Sequence, residues 1–489
     1  MWGIETSAIT RWAIGVSLLT VVFVPGQLGA ADVRLTSSVG TQVTATDNVD
    51  LEPDGQANNA LIWTNTGSFG LREDGERLHA AVDYTLSVDT TFSDSTDVDV
   101  RNDLNAIGTL EVIPDLFFLE GRAFAGQQLV GANGRVSGNG TNVGSDTADV
   151  YSFTVHPFFR FRLGTWADAD VGGAYERVFV TGNNSDQGSS GDSVSTSQHA
   201  RISSAGKLEA RTNLTADFEH DKVTTEGLSN DSEQTTGLAT AEYALIPEFS
   251  LLGTVGYEVI DTNSFENDLS GVVVYGGFDA RPGPRSELRF QVGHRFDQLV
   301  YDALASYKLT SHIAFQSTYD VSFVPAAGDA LSLPTNIMLD KNGNFVDVTS
   351  GLPVDPLDVG LGLEDQPYVS NRADASLVGT YTRDQFSLTG TFERRDFQTQ
   401  EDEDILAAAA RWTHDLSRDL RVGSLLGYRR TDIAMGEKDD TIIGRIDVSY
   451  DLAENAEIYA AYSYTQRFSN IPDDEYTENA LTVGASLRF

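Results

Sequence analysis

The sequence contains no cysteine, and it has only 13 prolines among 489 residues. Without cysteine the chain has neither disulfide bonds nor thiolate chemistry, and it lacks the cysteine that a lipoprotein needs after its signal. Beyond an N-terminal apolar segment, no run approaches the roughly 18 consecutive apolar residues that a membrane-spanning helix requires. Transmembrane helices are therefore excluded, although tyrosine, phenylalanine, valine and threonine are frequent, as is typical of β-structure.

Basic residues are also scarce. The chain has 33 lysines and arginines against 72 aspartates and glutamates, a formal net charge of −39. This balance rules out nucleic acid and other polyanions as partners over a broad surface. Two explanations of the acidity stay open: loop carboxylates that meet divalent cations among lipopolysaccharide phosphates, or a charge that serves solubility alone.

Residues 1–31 have the pattern of a secretory signal peptide. Arg11 precedes an apolar run over 13–24, Pro25 and Gly26 end that run, and residues 29–31 are small. About 12 apolar residues are too few to span a bilayer as a helix, so we expect a cleaved signal rather than an anchor. The mature protein is then expected to be one domain, 32–489.

Strict alternation of apolar and polar residues marks the mature chain. It runs through residues 78–89, 208–219 and 288–296, and the polar positions carry many charges. A soluble sandwich rarely places so many charges on one face, whereas an apolar face towards lipid and a charged face towards water suit a membrane barrel. We predict an all-β fold, a single transmembrane antiparallel up-and-down β-barrel.

The connections between these strands alternate in length. Short turns at 114–115, 246–248 and 453–456 are interleaved with longer polar segments such as 131–146 and 181–197. In outer-membrane barrels the short turns face the periplasm and the long loops face outwards. The pattern predicts about 22 strands, with 18 to 24 as the range, an N-terminus in the periplasm and a location in the outer membrane of a Gram-negative bacterium.

The last strand ends on an aromatic residue. Leu481, Val483, Ala485, Leu487 and Phe489 alternate with polar or small residues. The ending resembles the terminal signal of bacterial outer-membrane barrels, which the barrel-assembly machinery reads. The resemblance makes four residues the candidate assembly signal: Thr482, Gly484, Leu487 and Phe489.

Four segments carry a wider resemblance: residues 44–53 (TATDNVDLEP), 156–175 (HPFFRFRLGTWADADVGGAY), 243–251 (YALIPEFSL) with 255–258, and 277–286 (GFDARPGPRS) with 293–295. They are similar to blocks of the outer-membrane β-barrel family encoded with exosortase/PEP-CTERM and exopolysaccharide systems. His156 stands where that family more often has serine. The resemblance implies an outer-membrane protein linked to export of polysaccharide or surface proteins, and it transfers no catalytic residues.

Charged residues on the predicted polar face are the candidate lumen residues. Later strands supply arginines and earlier strands supply carboxylates: Arg289, Arg295, Arg421, Arg429 and Arg445, and Asp83, Asp89, Glu209, Asp217 and Glu219. Opposed charge walls across a water-filled pore would orient dipoles and set ion selectivity. The alternative is a set of salt-bridge ladders that brace a wide barrel.

No pattern in the sequence indicates catalysis. The seven histidines are scattered without metal-site spacing, so we expect no enzyme activity and no cofactor. Residues 340–347 (DKNGNFVD) are similar to a calcium loop, with oxygen ligands at Asp340, Asn342, Asn344 and Asp347. Phe345 stands where an EF-hand needs glycine and no glutamate closes the loop, so an ordinary Asn-Gly turn is the alternative.

Residues 325–369 form the longest connection, and they are rich in apolar side chains such as Leu331, Ile337 and Leu357. Loops of this length are uncommon unless they are functional or disordered, and this one is too apolar for a solvated tail. We expect it to fold into the barrel mouth as a plug or constriction, or else to form an outward cap that docks a partner.

The leading functional hypothesis is a non-enzymatic channel that serves export of a polysaccharide or surface polymer. Its expected partners are outer-membrane lipid and lipopolysaccharide, the assembly machinery and the exported polymer or secretion components. A structural or adhesive surface protein with a blocked lumen is the first alternative, and a general porin is the second.

Overall fold

The computed structural model describes residues 32–93, 95–140, 146–181, 192–204, 211–226, 231–263, 269–339, 345–347, 362–397, 401–433 and 436–489. The predicted signal peptide lies outside these ranges. So do Glu209 and three of the predicted calcium ligands, Asp340, Asn342 and Asn344.

Twenty-two antiparallel strands form one sheet, which closes into a barrel because the first strand pairs with the last. The predicted fold class and strand number are confirmed. The barrel strands are β1 (Asp32–Thr46), β2 (Ala60–Asp74), β3 (Leu78–Phe92), β4 (Thr96–Ile113), β5 (Phe117–Leu129), β6 (Thr147–Leu163), β7 (Ala167–Thr181), β8 (Ser193–Ser203), β9 (Thr212–Thr225), β10 (Ser232–Ile246), β11 (Phe249–Thr262), β12 (Gly271–Gly283), β13 (Ser286–Arg295), β14 (Gln298–Lys308), β15 (Ile313–Val324), β18 (Tyr368–Thr380), β19 (Asp384–Asp396), β20 (Glu403–Asp415), β21 (Leu420–Ile433), β22 (Glu437–Ala453), β23 (Ala456–Ser469) and β24 (Tyr476–Arg488).

Three short elements complete the described structure. A helix, α1 (Gly328–Ser332), and a two-stranded hairpin of β16 (Ile337–Leu339) and β17 (Phe345–Asp347) lie between β15 and β18. A 3-10 helix at Pro472–Asp474 lies between β23 and β24. No helix within the described ranges is long and apolar enough to cross a membrane.

The two faces of the barrel wall differ as the alternation predicts. Large apolar side chains such as Leu35, Val255, Leu426 and Ile446 are exposed on the outer face. Their sequence neighbours point to the lumen and are mainly polar, which is the arrangement of a barrel that faces lipid outside and water inside.

Long and short connections lie at opposite rims, which we call the long-loop rim and the short-turn rim. The shortest connection at the long-loop rim joins β13 and β14 through Phe296 and Asp297 alone, with φ values of 55° and 56°. Two left-handed residues make a tight hairpin of the type whose twist matches the strands. The β13–β14 hairpin therefore carries no projecting loop at this rim.

Candidate functional site

Two connections from the long-loop rim fold into the lumen. Loop A is residues 130–146, between β5 and β6, and loop B is residues 325–367, between β15 and β18. The structure describes residues 130–140 and 146 of loop A, and residues 325–339, 345–347 and 362–367 of loop B. These two loops form the candidate site.

Loop B crosses from one side of the barrel to the other. Its helix α1 packs on β6 and β7, although seven strands, β8 to β14, separate β7 from β15. Ala330, Leu331 and Leu363 form a buried apolar cluster with lumen-facing residues of β5, β6, β7 and β9: Phe124, Val150, Val178 and Val223. The described part of the loop thus lies against the inner wall.

At its return, loop B is held by a buried arginine of β19. Arg395 donates to Glu364 of loop B at 2.8 Å and to the carbonyl oxygen of Gly362 at 3.1 Å. It also contacts Glu393 on its own strand at 3.1 Å, and only 1% of its surface is exposed. We call this buried site around Arg395 the socket. A guanidinium suits it because its fixed fork of donors can engage several acceptors at once.

A second carboxylate of loop B completes the socket. Asp329 in α1 accepts hydrogen bonds from the Tyr368 hydroxyl at 2.9 Å and from the Glu364 backbone N–H at 3.2 Å. The guanidinium of Arg395 also lies 5.1 Å over the Tyr368 ring. With Glu403 at 3.7 Å, four carboxyl groups therefore surround one guanidinium.

Docking of loop B should depend on pH. Burial raises the pKa of Asp329, and it raises the pKa of Glu364 well above its usual range although Arg395 opposes the shift. Glu393, Glu403 and Tyr368 face the same socket. Because both pKa values are higher in the docked loop than in free solution, docking is strongest below the ordinary carboxyl pKa and weakens as pH rises through the raised values.

We therefore expect ion flux through the reconstituted barrel to increase from acidic to alkaline pH. Asp329→Asn combined with Glu364→Gln removes the two titrating groups of loop B, so the profile of that variant should be much shallower than that of the wild type. A steep profile in the double variant would assign the pH dependence to other groups.

Loop A is held by another sector of the wall, β21 to β24. The Tyr476 hydroxyl donates to the Val136 carbonyl oxygen at 2.8 Å, and Glu478 accepts hydrogen bonds from Ser137 at 2.5 Å and Asn139 at 2.7 Å. Three lumen-facing arginines donate to backbone carbonyl oxygens of the loop: Arg429 to Ala132, Arg467 to Asn133, and Arg445 to Asn139.

The two loops meet inside the barrel. Val130 and Leu363 form a parallel β-bridge, with Leu363 N–H donating to Leu129 O at 2.8 Å and Gly131 N–H donating to Leu363 O at 3.0 Å. Gly362 has a φ of +96°, and a Cβ atom there would lie 2.2 Å from the Gly131 carbonyl oxygen. The junction therefore requires glycine at 362, because the backbone there is left-handed and because the Gly131 carbonyl oxygen leaves no room for a Cβ atom.

Gly362→Ala should separate the loops. Gly55→Ala is the matched control, because Gly55 has a φ of +93° but no atom within 4 Å of the added Cβ. We expect trypsin to cut after Arg135 of loop A several-fold faster in Gly362→Ala than in the wild type, and at the wild-type rate in Gly55→Ala. Equal cleavage in both variants would mean that the contact between the loops does not hold loop A.

The predicted lumen charges lie on the inner face wherever they are described, and most have local partners. Arg289 pairs with Asp279, Arg295 with Glu258, Arg421 with Asp415, Asp83 with Arg72, Asp89 with Arg101 and Asp217 with Arg201, at 2.6 to 3.3 Å. Glu219 lies opposite His199 on β8, while Arg429 and Arg445 hold loop A. These contacts favour bracing of the wall over two opposed walls of single sign.

The candidate assembly residues occupy both faces of β24. Thr482 faces inward and shares a hydrogen bond with Thr44 at 2.9 Å. Gly484 also faces inward and leaves room for the Tyr459 ring, which a Cβ atom would meet at 2.4 Å. Leu487 and Phe489 are exposed on the outer face, and Phe489 exchanges backbone hydrogen bonds with Ser37 of β1. Recognition by the assembly machinery stays a prediction.

Deletion of Phe489 removes this last rung of the closing β1–β24 pair. At about 1 kcal/mol for each of its two hydrogen bonds, the loss should lower the level of folded, heat-modifiable barrel by roughly 30-fold. Phe489→Tyr keeps the backbone and the aromatic ring and should assemble normally. Normal outer-membrane levels of the deleted protein, measured by gel mobility with and without heating, would refute the terminal signal.

Sequence reasoning missed Arg395, Glu478 and the whole of loop A. One signal was present for loop A: residues 130–140 contain no carboxylate, in a chain that is otherwise strongly acidic. Nothing comparable marks Arg395 among the other arginines. Among the described residues, no group of three or more His, Asp or Glu side chains is placed to hold a metal ion. Of the predicted calcium ligands only Asp347 is described, at the end of β17.

A closed 22-strand barrel with an apolar outer face defines the class: a porin-like barrel of the Gram-negative outer membrane. Within the chain, residues 374–489 are similar to the family described as "Putative beta-barrel porin 2". This match covers the last six strands and the second half of β18. No curated protein matches the sequence.

Several solved structures resemble the barrel. A mutant of the ferric enterobactin receptor PfeA from Pseudomonas aeruginosa has a TM-score of 0.48 at 10% identity, over 93% of this chain and 80% of that one. The siderophore receptor PirA from Acinetobacter baumannii has a TM-score of 0.46 at 8% identity, with the same coverage. The ferric-catecholate import receptor Fiu from E. coli K12 has a TM-score of 0.47 at 10% identity, over 92% and 81%. Likeness at this level concerns the barrel alone.

Proposed function

We propose that the protein is an outer-membrane channel whose lumen is closed by loops A and B and opens when they leave the inner wall. The observation that carries this proposal is the junction of Val130 and Leu363, which joins two inward-folded loops into one unit across the lumen. No catalytic step is part of the proposal.

The size of the barrel supports the need for a plug. Side chains alone fill barrels of about eight strands, while barrels of about 22 strands have a wide lumen that other elements must close. Loop A covers the wall from β21 to β24 and loop B spans from β18 to β6, so the pair reaches different sectors. Their polar contacts with the wall can be replaced by contacts with water once the loops leave it, as a reversible gate requires.

A disulfide bond introduced between the two loops tests the proposal. Because the natural chain contains no cysteine, the two introduced cysteines can pair only with each other within the chain. Val130→Cys with Leu363→Cys should form a disulfide that fixes the two loops together. We expect ion flux in proteoliposomes to fall to the leak level after oxidation and to recover with a reductant. Ile446→Cys with Tyr462→Cys, partners on the outer face of β22 and β23, is the control and should leave flux unchanged in both states.

The rival functions give different outcomes. A general porin would show large flux that the loop tether does not change. A structural or adhesive surface protein with a permanently blocked lumen would show no flux in any redox state. Either result would refute the gated channel.

As cargo we propose a polysaccharide or another surface polymer exported through the outer membrane with an exosortase-linked system. Support comes from the four sequence segments, at 44–53, 156–175, 243–258 and 277–295, that are similar to barrels encoded with such systems. A strain without this protein should release much less extracellular polysaccharide, and the wild-type gene should restore it. Unchanged polysaccharide would remove the proposed cargo but leave the channel standing.

A further inference from the structure

The wall has one short seam, between β14 and β15. Only six residues of each strand are paired, Ala303–Lys308 with Ala314–Tyr319, while the next shortest pairing between neighbouring wall strands in the described structure, β12 with β13, has eight pairs. β15 continues to Val324 and stays paired with β18 over that length. Above the Ala303–Tyr319 rung, β14 and β15 therefore separate on the side of the long-loop rim.

An apolar cluster lies at this separation, and its members come from both faces of the sheet. Ile260 of β11 and Val300 of β14 point to the lumen, since their neighbours Val259 and Leu299 are exposed outside. Val321 and Phe323 of β15 and Val369 of β18 belong to the same cluster, yet they alternate with inward residues such as Asp320 and Ser370.

Residues on opposite faces of one continuous sheet cannot pack together, because the backbone layer lies between them. The cluster therefore shows that the wall is interrupted here. The upper parts of β15 and β18 overlap the inner side of the β13–β14 hairpin, and the overlap is sealed by apolar side chains.

Beyond the Ala303–Tyr319 rung, a side-chain contact replaces the backbone hydrogen bonds between β14 and β15. The guanidinium of Arg295 donates to the Val321 carbonyl oxygen at 3.4 Å and to Glu258 at 2.6 Å, and it lies 4.5 Å over the ring of Phe296 at the hairpin turn. Side-chain contacts can rearrange without breaking a strand ladder. The seam is thus the part of the wall that opens at least cost.

We propose that this seam is a lateral port, through which the acyl chain of an outer-leaflet lipid or of a lipid-linked cargo passes between the bilayer and the lumen. The apolar lining is continuous with the lipid-facing band, since Leu299 and Tyr301 beside it are exposed on the outer face. An acyl chain that replaces the cluster keeps the lining covered, which makes the exchange nearly neutral in hydrophobic free energy. The port does not depend on the gating proposed for loops A and B.

Three tyrosines allow a matched photo-crosslinking test in intact outer membranes. Each is replaced in turn by a benzophenone amino acid: Tyr301, which faces lipid; Tyr275, which faces the lumen against the cluster; and Tyr459, which faces the lumen on the fully paired β23. We expect lipopolysaccharide or phospholipid adducts at Tyr301 and Tyr275 and none at Tyr459. In a Phe323→Ala background, which empties part of the seal, the adduct at Tyr275 should increase several-fold.

Adducts at Tyr301 alone, with or without Phe323→Ala, would overturn the port and leave a sealed structural seam. Adducts at all three positions would also overturn it, because lipid would then reach the lumen by another route. Heat-modifiable mobility of each variant establishes that the barrel is folded before the adducts are compared.

Discussion

Removal of residues 331–362 should open the barrel. The deletion takes away most of loop B, including Leu331 in the cluster on β6 and β7 and the carbonyl oxygen of Gly362 that Arg395 holds. The remaining residues still bridge the adjacent strands β15 and β18 at an ordinary loop length. We expect single-channel conductance in planar bilayers to rise on the order of tenfold or more, since a lumen of about 22 strands is wide once its plug is gone.

Deletion of residues 54–57 is the control. These residues are exposed in the connection between β1 and β2, so their loss should not change conductance. If the larger deletion inserts normally and its conductance stays at the wild-type value, loop B does not close the lumen. An outward cap that docks a partner would then be the better account of this loop.

Arg395→Ala should release loop B without shortening it. The substitution leaves Glu364, Glu393 and Glu403 buried without their shared cation, and breaking a buried ion pair in this way costs roughly 3–5 kcal/mol. The carboxylates reach water if loop B leaves the wall, so the cost falls on docking rather than on the barrel. We expect the ratio of docked to undocked loop to fall by about a hundredfold to a few thousandfold, and ion flux to rise as a result.

The neighbouring Arg394 supplies the control. It lies on the outer face of the same strand, is about half exposed and pairs with Asp396 and Asp402. Surface ion pairs contribute about 0–1 kcal/mol, so Arg394→Ala should leave flux at the wild-type level. Arg395→Lys should restore docking only in part, because an ammonium group cannot reproduce the fork of donors. Equal flux in Arg395→Ala and Arg394→Ala would refute the proposal that Arg395 holds loop B against the wall.

The barrel itself was predictable because its signals are local. Alternation with a period of two assigns each residue to a face, and connection lengths alternate between the rims, so the number of strands follows from one pass along the chain. The faces of Arg289, Arg295 and Asp217 follow from the same alternation. Their partners do not, because cross-strand neighbours depend on a register that the alternation alone leaves undetermined.

The inward fold of the two loops was only half predictable, for a physical reason. Length and apolar content mark loop B as a segment that must pack against something. Loop A is polar and much shorter than loop B, and its partners are far away in sequence: Ser137 lies 341 residues from Glu478. The overlap at β14 and β15 has no local signal either, since it appears only when the pairing of both strands is known.

The resting conductance of the wild-type protein tests the central claim most directly. Purified, folded protein in a planar bilayer should be closed for most of the recording, with brief openings that approach the level of the protein lacking residues 331–362. A wild-type barrel that conducts steadily at that same level would contradict closure of the lumen by the two loops.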